Sequence, residues 1–331
     1  MERWLKGIAA ALVAVVAMTS SLLSQGSLAQ EFPARPITLI MPFAAGGPGD
    51  VIARVYAQSM SGALGQQIIV ENVGGAGGTI GVARAAGARP DGYTILLHHL
   101  GMATAPAMYA NLRYDAVADF EPIGLVADNA MVFVARKDFP AADFAGFAAH
   151  AKANGDKLTW GHAGIGSASH LCGVLLQSAI GREIRGVTYR GAGPALNDVI
   201  GGQIDFMCDQ PVNVIGAAGT ATVKALAVTA ATRLPTLPDV PAVTAHGFNN
   251  LVVTIWLGLY APKGTPASAI AKLTGALQAA VGDQNVKEKM SALGIDVMPR
   301  EKATPDALRR HLAAETARWL PALKAAGVVP Q

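Results

Sequence analysis

Phe43-Ala44-Ala45-Gly46-Gly47-Pro48-Gly49 and the stretch from Gly161 to Ser169 are glycine-rich, and each lies between an apolar run and an amphipathic one. Glycine lets a ligand approach main-chain N–H groups without a Cβ in the way. The start of the following helix carries about half a positive charge. Two such loops facing each other form an anion clamp that needs no lysine or arginine. A helix start contributes about 0.3–1 kcal/mol when exposed and about 2 kcal/mol when partly buried. Each N–H donated to an ionised oxygen adds roughly 1.5–3 kcal/mol. A few of them reach about −8 kcal/mol, which is micromolar affinity. The chemistry expected of these loops is the capture of a small carboxylate. Gly77, in the further glycine run Gly74–Gly78, belongs to the same candidate set.

Competing chemistries lack their residues. A dinucleotide fingerprint begun at Gly47 or Gly164 needs glycine where Ile52 and Ser169 stand, and neither loop carries the Gly-Lys-Ser/Thr of a P-loop. Ser167 and Ser169 lack the flanking glycines of a nucleophile elbow. His162 and His170 do not have metal-ligand spacing. No catalytic residue, metal or cofactor is therefore expected. At most one of His98 and His99 faces a cleft, because neighbours on a strand point to opposite sides; His98 is the candidate, with the choice left open. His170 opens a helix and suits a hydrogen bond within its loop. Phe43 is a cleft wall or a core residue. Tyr189 and Arg190 end a strand, with Arg190 reaching a carboxylate or solvent. Asp209 can hold a water or a loop amide.

These loops need strands and helices to hold them. Ile37–Met41 reads as a buried strand, Asp50 as the cap of a helix carrying Ile52, Val55, Tyr56 and Met60, and Ile68–Val70 as a second strand. Thr79 caps a helix running to about Ala88, and Tyr93–Leu97 is a third strand. The pattern returns with a strand at 158–160, a helix from Ala168 or Ser169, a strand at 184–189, a helix at 194–200 and a strand at 204–207. Strand, glycine loop, helix and strand form the unit of a parallel sheet. Residues 120–136 and 251–261 read as extended, as two passages between lobes require. The tail from Ala267 is helical.

The chain has 331 residues, 51% hydrophobic and 15% charged, with a net charge of +3 and no basic cluster. That composition excludes a disordered chain, and the charge leaves no footprint for nucleic acid. At the N-terminus, Arg3 and Lys6 precede the apolar run Gly7–Met18, and Ser27-Leu28-Ala29 fits a cleavage signal. A secretory leader over residues 1–29, cut after Ala29, is expected, and no stable membrane insertion after its removal. Cys172 and Cys208 then sit in an oxidising compartment and are expected to pair, with two buried thiols as the alternative. The pairing is worth about 3–4 kcal/mol by chain entropy.

A family resemblance runs in order along the mature chain. Pro36-Ile37-Thr38-Leu39-Ile40 with Phe43-Ala44-Ala45-Gly46-Gly47, Asp50 and Arg54 resembles the opening motif of the tripartite tricarboxylate transporter substrate-binding proteins, the Bug or TctC family. Val70-Glu71-Asn72, Gly75-Ala76-Gly77-Gly78, Pro90-Asp91-Gly92-Tyr93-Thr94, Gly166-Ser167-Ala168-Ser169-His170-Leu171, Tyr189-Arg190-Gly191, Gly201-Gly202-Gln203-Ile204-Asp205 and Ala261-Pro262-Lys263-Gly264-Thr265-Pro266 are similar to its later signatures. The resemblance implies a two-lobed α/β periplasmic-binding-protein fold of type II-like form, each lobe a mostly parallel sheet flanked by helices, joined by two crossing strands. Residues 30–130 and 255–331 are expected to form the first lobe and 131–254 the second. It implies a carboxylate held by main-chain groups and ordered waters from Phe43, Ala44, Ala45, Gly46, Gly47, Gly49 and Asp50 on one side and Gly164, Ile165, Gly166, Ser167, Ala168, Ser169 and His170 on the other. It implies delivery to a membrane permease by a monomeric periplasmic receptor. Gly49 stands where the family commonly has Ser or Thr, Val73-Gly74 replaces a basic residue and Pro, and Ala245 replaces a common Glu. The ligand's identity is therefore not copied from relatives. An exported enzyme with His170 as base predicts turnover instead, and a sensor component is a third reading.

Overall fold

The computed structural model describes residues 31–330. The expected leader lies outside them. β1 (Ile37–Met41) is apolar and buried, and seeds the first sheet. It is flanked in parallel by β2 (Ile68–Asn72) and β3 (Thr94–His99). The crossovers are α1 (Pro48–Leu64) and α2 (Thr79–Ala86), with α3 (Gly101–Met108) following β3. β4 (Phe120–Asp128) then leads out of this sheet and β5 (Val132–Arg136) enters a second one.

The second sheet is built from α4 (Phe144–Asn154), β6 (Thr159–His162), α5 (Ala168–Ile180), β7 (Arg185–Thr188), α6 (Ala192–Ile200), β8 (Phe206–Asp209), α7 (Pro211–Gly219) and β9 (Val223–Val228). The chain returns through β10 (Leu257–Pro262) and ends in α8 (Ala267–Gly282), α9 (Gln284–Ala292), β11 (Asp296–Val297) and α10 (Pro305–Ala325). Strand orders are β11-β4-β10-β3-β1-β2 and β7-β6-β8-β5-β9. The two-lobed α/β architecture matches the expectation from sequence.

Several details differ. Each sheet is mixed rather than mostly parallel: β1, β2 and β3, and likewise β6, β7 and β8, are parallel, whereas β4, β5, β9, β10 and β11 pair antiparallel. The cause is the double crossing, which sends β10 back through the first sheet against the direction of its neighbours. Asp50 is not a cap. Gly47 occupies that position and Asp50 is the third residue of α1. Thr79 is likewise inside α2, behind Gly78, and its hydroxyl donates to Ala76 O. β8 lies two residues later than expected, because Asp205 leaves the strand to bind Arg136 and the Thr159 amide.

The two passages between sheets run side by side. Ala130 bridges Thr254, the Ile255 amide donates to Asn129 O at 2.7 Å, and the Asn129 amide to Ile255 O at 3.3 Å. Asn129 Nδ2 also donates to Gln210 Oε1 at 2.9 Å. Cys172 of α5 and Cys208 of β8 are bonded, 36 residues apart, so the expected pairing is present.

Candidate functional site

A cavity of about 140 Å³ lies between the lobes, beyond the carboxyl ends of β1, β3, β6 and β8. That is where open α/β sheets place ligands. Four helices begin at its wall. Gly47, Pro48 and Gly49 start α1, Ser167–Ser169 start α5, Gly191–Pro194 start α6, and Asp209-Gln210 precede α7. The first-turn N–H groups of a helix have no intrahelical acceptor. Some are used locally: Gly47 O accepts from Asp50 and Val51, and Ser167 Oγ accepts from His170. The amides of Gly49, Ala168, Ser169, Ala192 and Gly193 have no acceptor among the described residues. The floor is apolar, formed by Met41, Met131, Ile255 and Leu257. Among the described residues no lysine or arginine lines the cavity, and Asp209 is its one ionisable acid.

The loop after β1 is held from behind. Asp50 Oδ2 accepts from the Gly46 amide at 2.9 Å and Arg54 Nε at 3.0 Å, while its Oδ1 accepts from Asn72 Nδ2 at 3.0 Å. Asn72 Nδ2 also donates to Phe43 O. Burial pushes the Asp50 carboxyl up, but the hydrogen bonds from Arg54, Gly46 and Asn72 outweigh it and hold it below the usual range. Asp50→Ala is expected to lower stability by about 1–3 kcal/mol, because buried donors lose their acceptor. Ligand affinity should fall about tenfold as the loop loosens. Thermal melting and calorimetric titration read the two effects, and native values for both would remove Asp50 from this role.

The loop before α5 is tied by its own side chains. Ser169 Oγ accepts from the Ala163 amide at 2.9 Å and lies 3.1 Å from Ser167 Oγ. His170 Nδ1 accepts from the Gly166 amide at 3.3 Å, and its ring stacks on Trp160. Burial lowers its pKa to about 3. His170 thus braces the loop and stays neutral.

Of the residues singled out in the sequence, Phe43, Ala44, Ala45, Gly46, Gly47, Gly49, Ser167, Ala168, Ser169 and Asp209 line the cavity. Asp50 and His170 stand behind it, and Gly166 abuts Tyr109 and Met108 of the other lobe. Gly77, Gly164 and Ile165 form a seam where the lobes touch: Tyr109 Oη donates to Ile165 O at 2.7 Å, and a Cβ on Gly77 would overlap that same oxygen. Tyr189 Oη donates to Asp198, and Arg190 is exposed.

His99, not His98, lines the wall. The two rings are not splayed apart; their centroids are 4.5 Å apart, and Phe43 stacks on His99 at 5.0 Å. The strand turns into α3 here, which breaks the alternation. The Gly101 amide donates to His99 Nδ1 at 2.8 Å, which places the remaining ring proton on Nε2, and burial lowers the pKa to about 4. Gly191–Pro194 were readable as a glycine loop before a helix, the same grammar as the other two. Met131 and Ile255 carried no signal, because only the crossing of the two passages brings them to the floor.

The family model described as "Tripartite tricarboxylate transporter family receptor" matches residues 52–328. The solved structure of periplasmic binding protein BugD is 46% identical with a TM-score of 0.88, covering 91% of this chain and 100% of that one. MatC from Rhodopseudomonas palustris with bound malate is 39% identical, with a TM-score of 0.85, over 88% of this chain and 99% of that one. A further R. palustris protein, with adipate, is 29% identical, with a TM-score of 0.86, over 91% and 100% of the respective chains.

Proposed function

Because the chain belongs to the tripartite tricarboxylate transporter receptor family, we propose that it works in the periplasm, capturing a small carboxylate between its lobes and passing it unchanged to the membrane permease of such a transporter. Its family identity makes it a receptor rather than an enzyme. The observation that carries the ligand class is the convergence of four helix starts on a cavity that no lysine or arginine lines among the described residues. Free amides at those ends donate to an anion at roughly 1.5–3 kcal/mol each, which is sufficient for micromolar binding. A volume of about 140 Å³ lies well below the roughly 300 Å³ where drug-sized pockets begin, so the ligand is small. Malate and adipate in two relatives, both dicarboxylates, support the same class.

The paired passages at 128–131 and 252–256 are the hinge of this reading. Backbone rotation there separates the lobes, admits the ligand and lets them close over it. The leader, cut after Ala29, takes the chain out of the cytoplasm. Among the described residues no helix is long and apolar enough to cross a membrane. The test is a melting-temperature screen of the mature protein against small mono- and dicarboxylates, followed by calorimetry and mass analysis of the recovered ligand. Saturable binding with the ligand recovered intact is expected. No response to any carboxylate, or recovery of a changed compound, would overturn the reading.

A further inference from the structure

We propose that Asp209 makes the cavity selective for carboxylates that also carry a hydrogen-bond donor, a hydroxyl or an ammonium, over plain carboxylates of the same length. The inference rests on the carboxylate-receptor reading above and concerns the same cavity. Every other polar group this cavity offers is a main-chain group, a neutral side chain or a hydroxyl already engaged in its own loop. Asp209 is different: it is a carboxylate, 1% exposed, on the wall of a cavity otherwise arranged for anions.

Its orientation is set. Oδ1 accepts from the Gln210 amide at 2.7 Å, and Oδ2 accepts from Asn213 Nδ2 at 2.9 Å. A carboxylate oxygen accepts two hydrogen bonds, so among the described residues each has one partner and room for a second. No cation among the described residues pairs with Asp209. A buried carboxylate without full hydrogen bonding is costly, and a ligand donor relieves that cost. A methylene in the same place leaves it, and a second ligand carboxylate there is repelled.

The opposite lobe supplies the complementary group. His99 Nε2–H is fixed as a donor by the Gly101 amide on Nδ1, and it finds no acceptor among the described residues. Closing the lobes therefore places one fixed acceptor, from β8, and one fixed donor, from β3, around the same ligand. A hydroxyl both donates and accepts, and an ammonium only donates, so either satisfies Asp209. Burial pushes the Asp209 pKa up to about 6, which leaves it ionised as an acceptor at neutral pH.

The test uses matched ligands on the mature protein: succinate, malate and aspartate, then glutarate with glutamate, and propionate with lactate and alanine, each titrated calorimetrically into native protein and Asp209→Asn. In native protein the donor-bearing member of a set is expected to bind at least about thirtyfold tighter than its plain counterpart, a loss of the kind seen when a buried polar group is left unpaired. Preference for hydroxyl or for ammonium identifies the donor. Asn at 209 keeps the side chain's shape, and the half-buried Asn213 amide can flip to accept from it. In that variant the donor-bearing ligand should weaken more than about tenfold while its plain counterpart changes less than about threefold. Equal native affinity for plain and donor-bearing ligands overturns the inference, as does a ratio unchanged by the substitution; in both cases carboxylate binding itself survives. A native protein that binds no carboxylate overturns the underlying reading as well. The native series alone decides the question if Asp209→Asn does not fold.

Discussion

Gly77→Ala will bind its carboxylate about a hundredfold more weakly than native protein, while the unliganded protein keeps most of its stability. Gly77 lies in the first lobe at φ +60°, and a Cβ there would overlap Ile165 O and stand 2.7 Å from Tyr109 Oη. Neither neighbour is free to retreat, since one is backbone and the other is its hydrogen-bonded partner. The clash exists only when the lobes meet, so the chain avoids it by staying open. A cost of about 3 kcal/mol on the closed form corresponds to about a hundredfold in apparent affinity. The left-handed backbone adds about 1–2 kcal/mol in either form. Gly65→Ala is the control: its φ is +65° with nothing within 4 Å, so it carries the backbone cost without the clash. Calorimetry reads the affinity, and small-angle scattering with saturating ligand should show the variant more extended than native. Native affinity in Gly77→Ala would mean that the lobes bind ligand without meeting at this seam. Tyr109→Phe is the milder companion. It removes one hydrogen bond across the same seam, about 0.5–1.5 kcal/mol, and should weaken binding up to about tenfold with the melting temperature unchanged.

Acid will destabilise the unliganded protein, and the slope can be worked out from groups that titrate differently in folded and unfolded chains. His98, His99 and His170 are held neutral by burial, His98 well below its usual value, His99 to about 4 and His170 to about 3. The unfolded chain protonates these rings near pH 6.5, so they cost stability as pH falls from there. Asp128 and Asp209 act the other way. Burial pushes both up to about 6, so the folded chain takes up their protons first, and stability is gained as pH falls through 6. Between about pH 6 and 4.5 three protons favour the unfolded chain and two the folded one. From these five groups alone, the net single proton corresponds to a loss of at least about 1.4 kcal/mol per pH unit. His162 and His311, also lowered by burial, act in the same direction as the three. Asp128→Asn removes one opposing proton and should steepen the slope by about 1.4 kcal/mol per pH unit. Denaturant unfolding at several pH values measures it, and a stability that rises on acidification would show that the carboxyls prevail.

Most of the fold is legible in the order of residues alone. Ile37–Met41, the loop that follows, and the helix carrying Ile52, Tyr56 and Met60 all state their conformation locally, through a β-branched run, glycines and helical spacing. The site was readable only as far as such local grammar reaches. Ten lining residues came from two glycine loops and one strand end. Met131 and Ile255 reach the cavity because two distant segments cross, which no local pattern encodes. The choice between His98 and His99, open in the sequence, has a related cause. Strand alternation predicts opposed rings, but the chain turns into α3 at Gly101, whose amide captures the His99 ring.

The covalent tie between Cys172 and Cys208 joins the helix whose first turn presents Ala168 and Ser169 to the strand that ends at Asp209. The Ala168 and Ser169 amides and the Asp209 carboxylate are thereby carried by two covalently joined elements. Adaptation to a poorly fitting guest would require the amide donors and the carboxylate acceptor to shift against each other, and the bond opposes that. In the receptor reading proposed above, the relation between these two groups is set once the bond forms, and the swing of the opposite jaw is what stays adjustable.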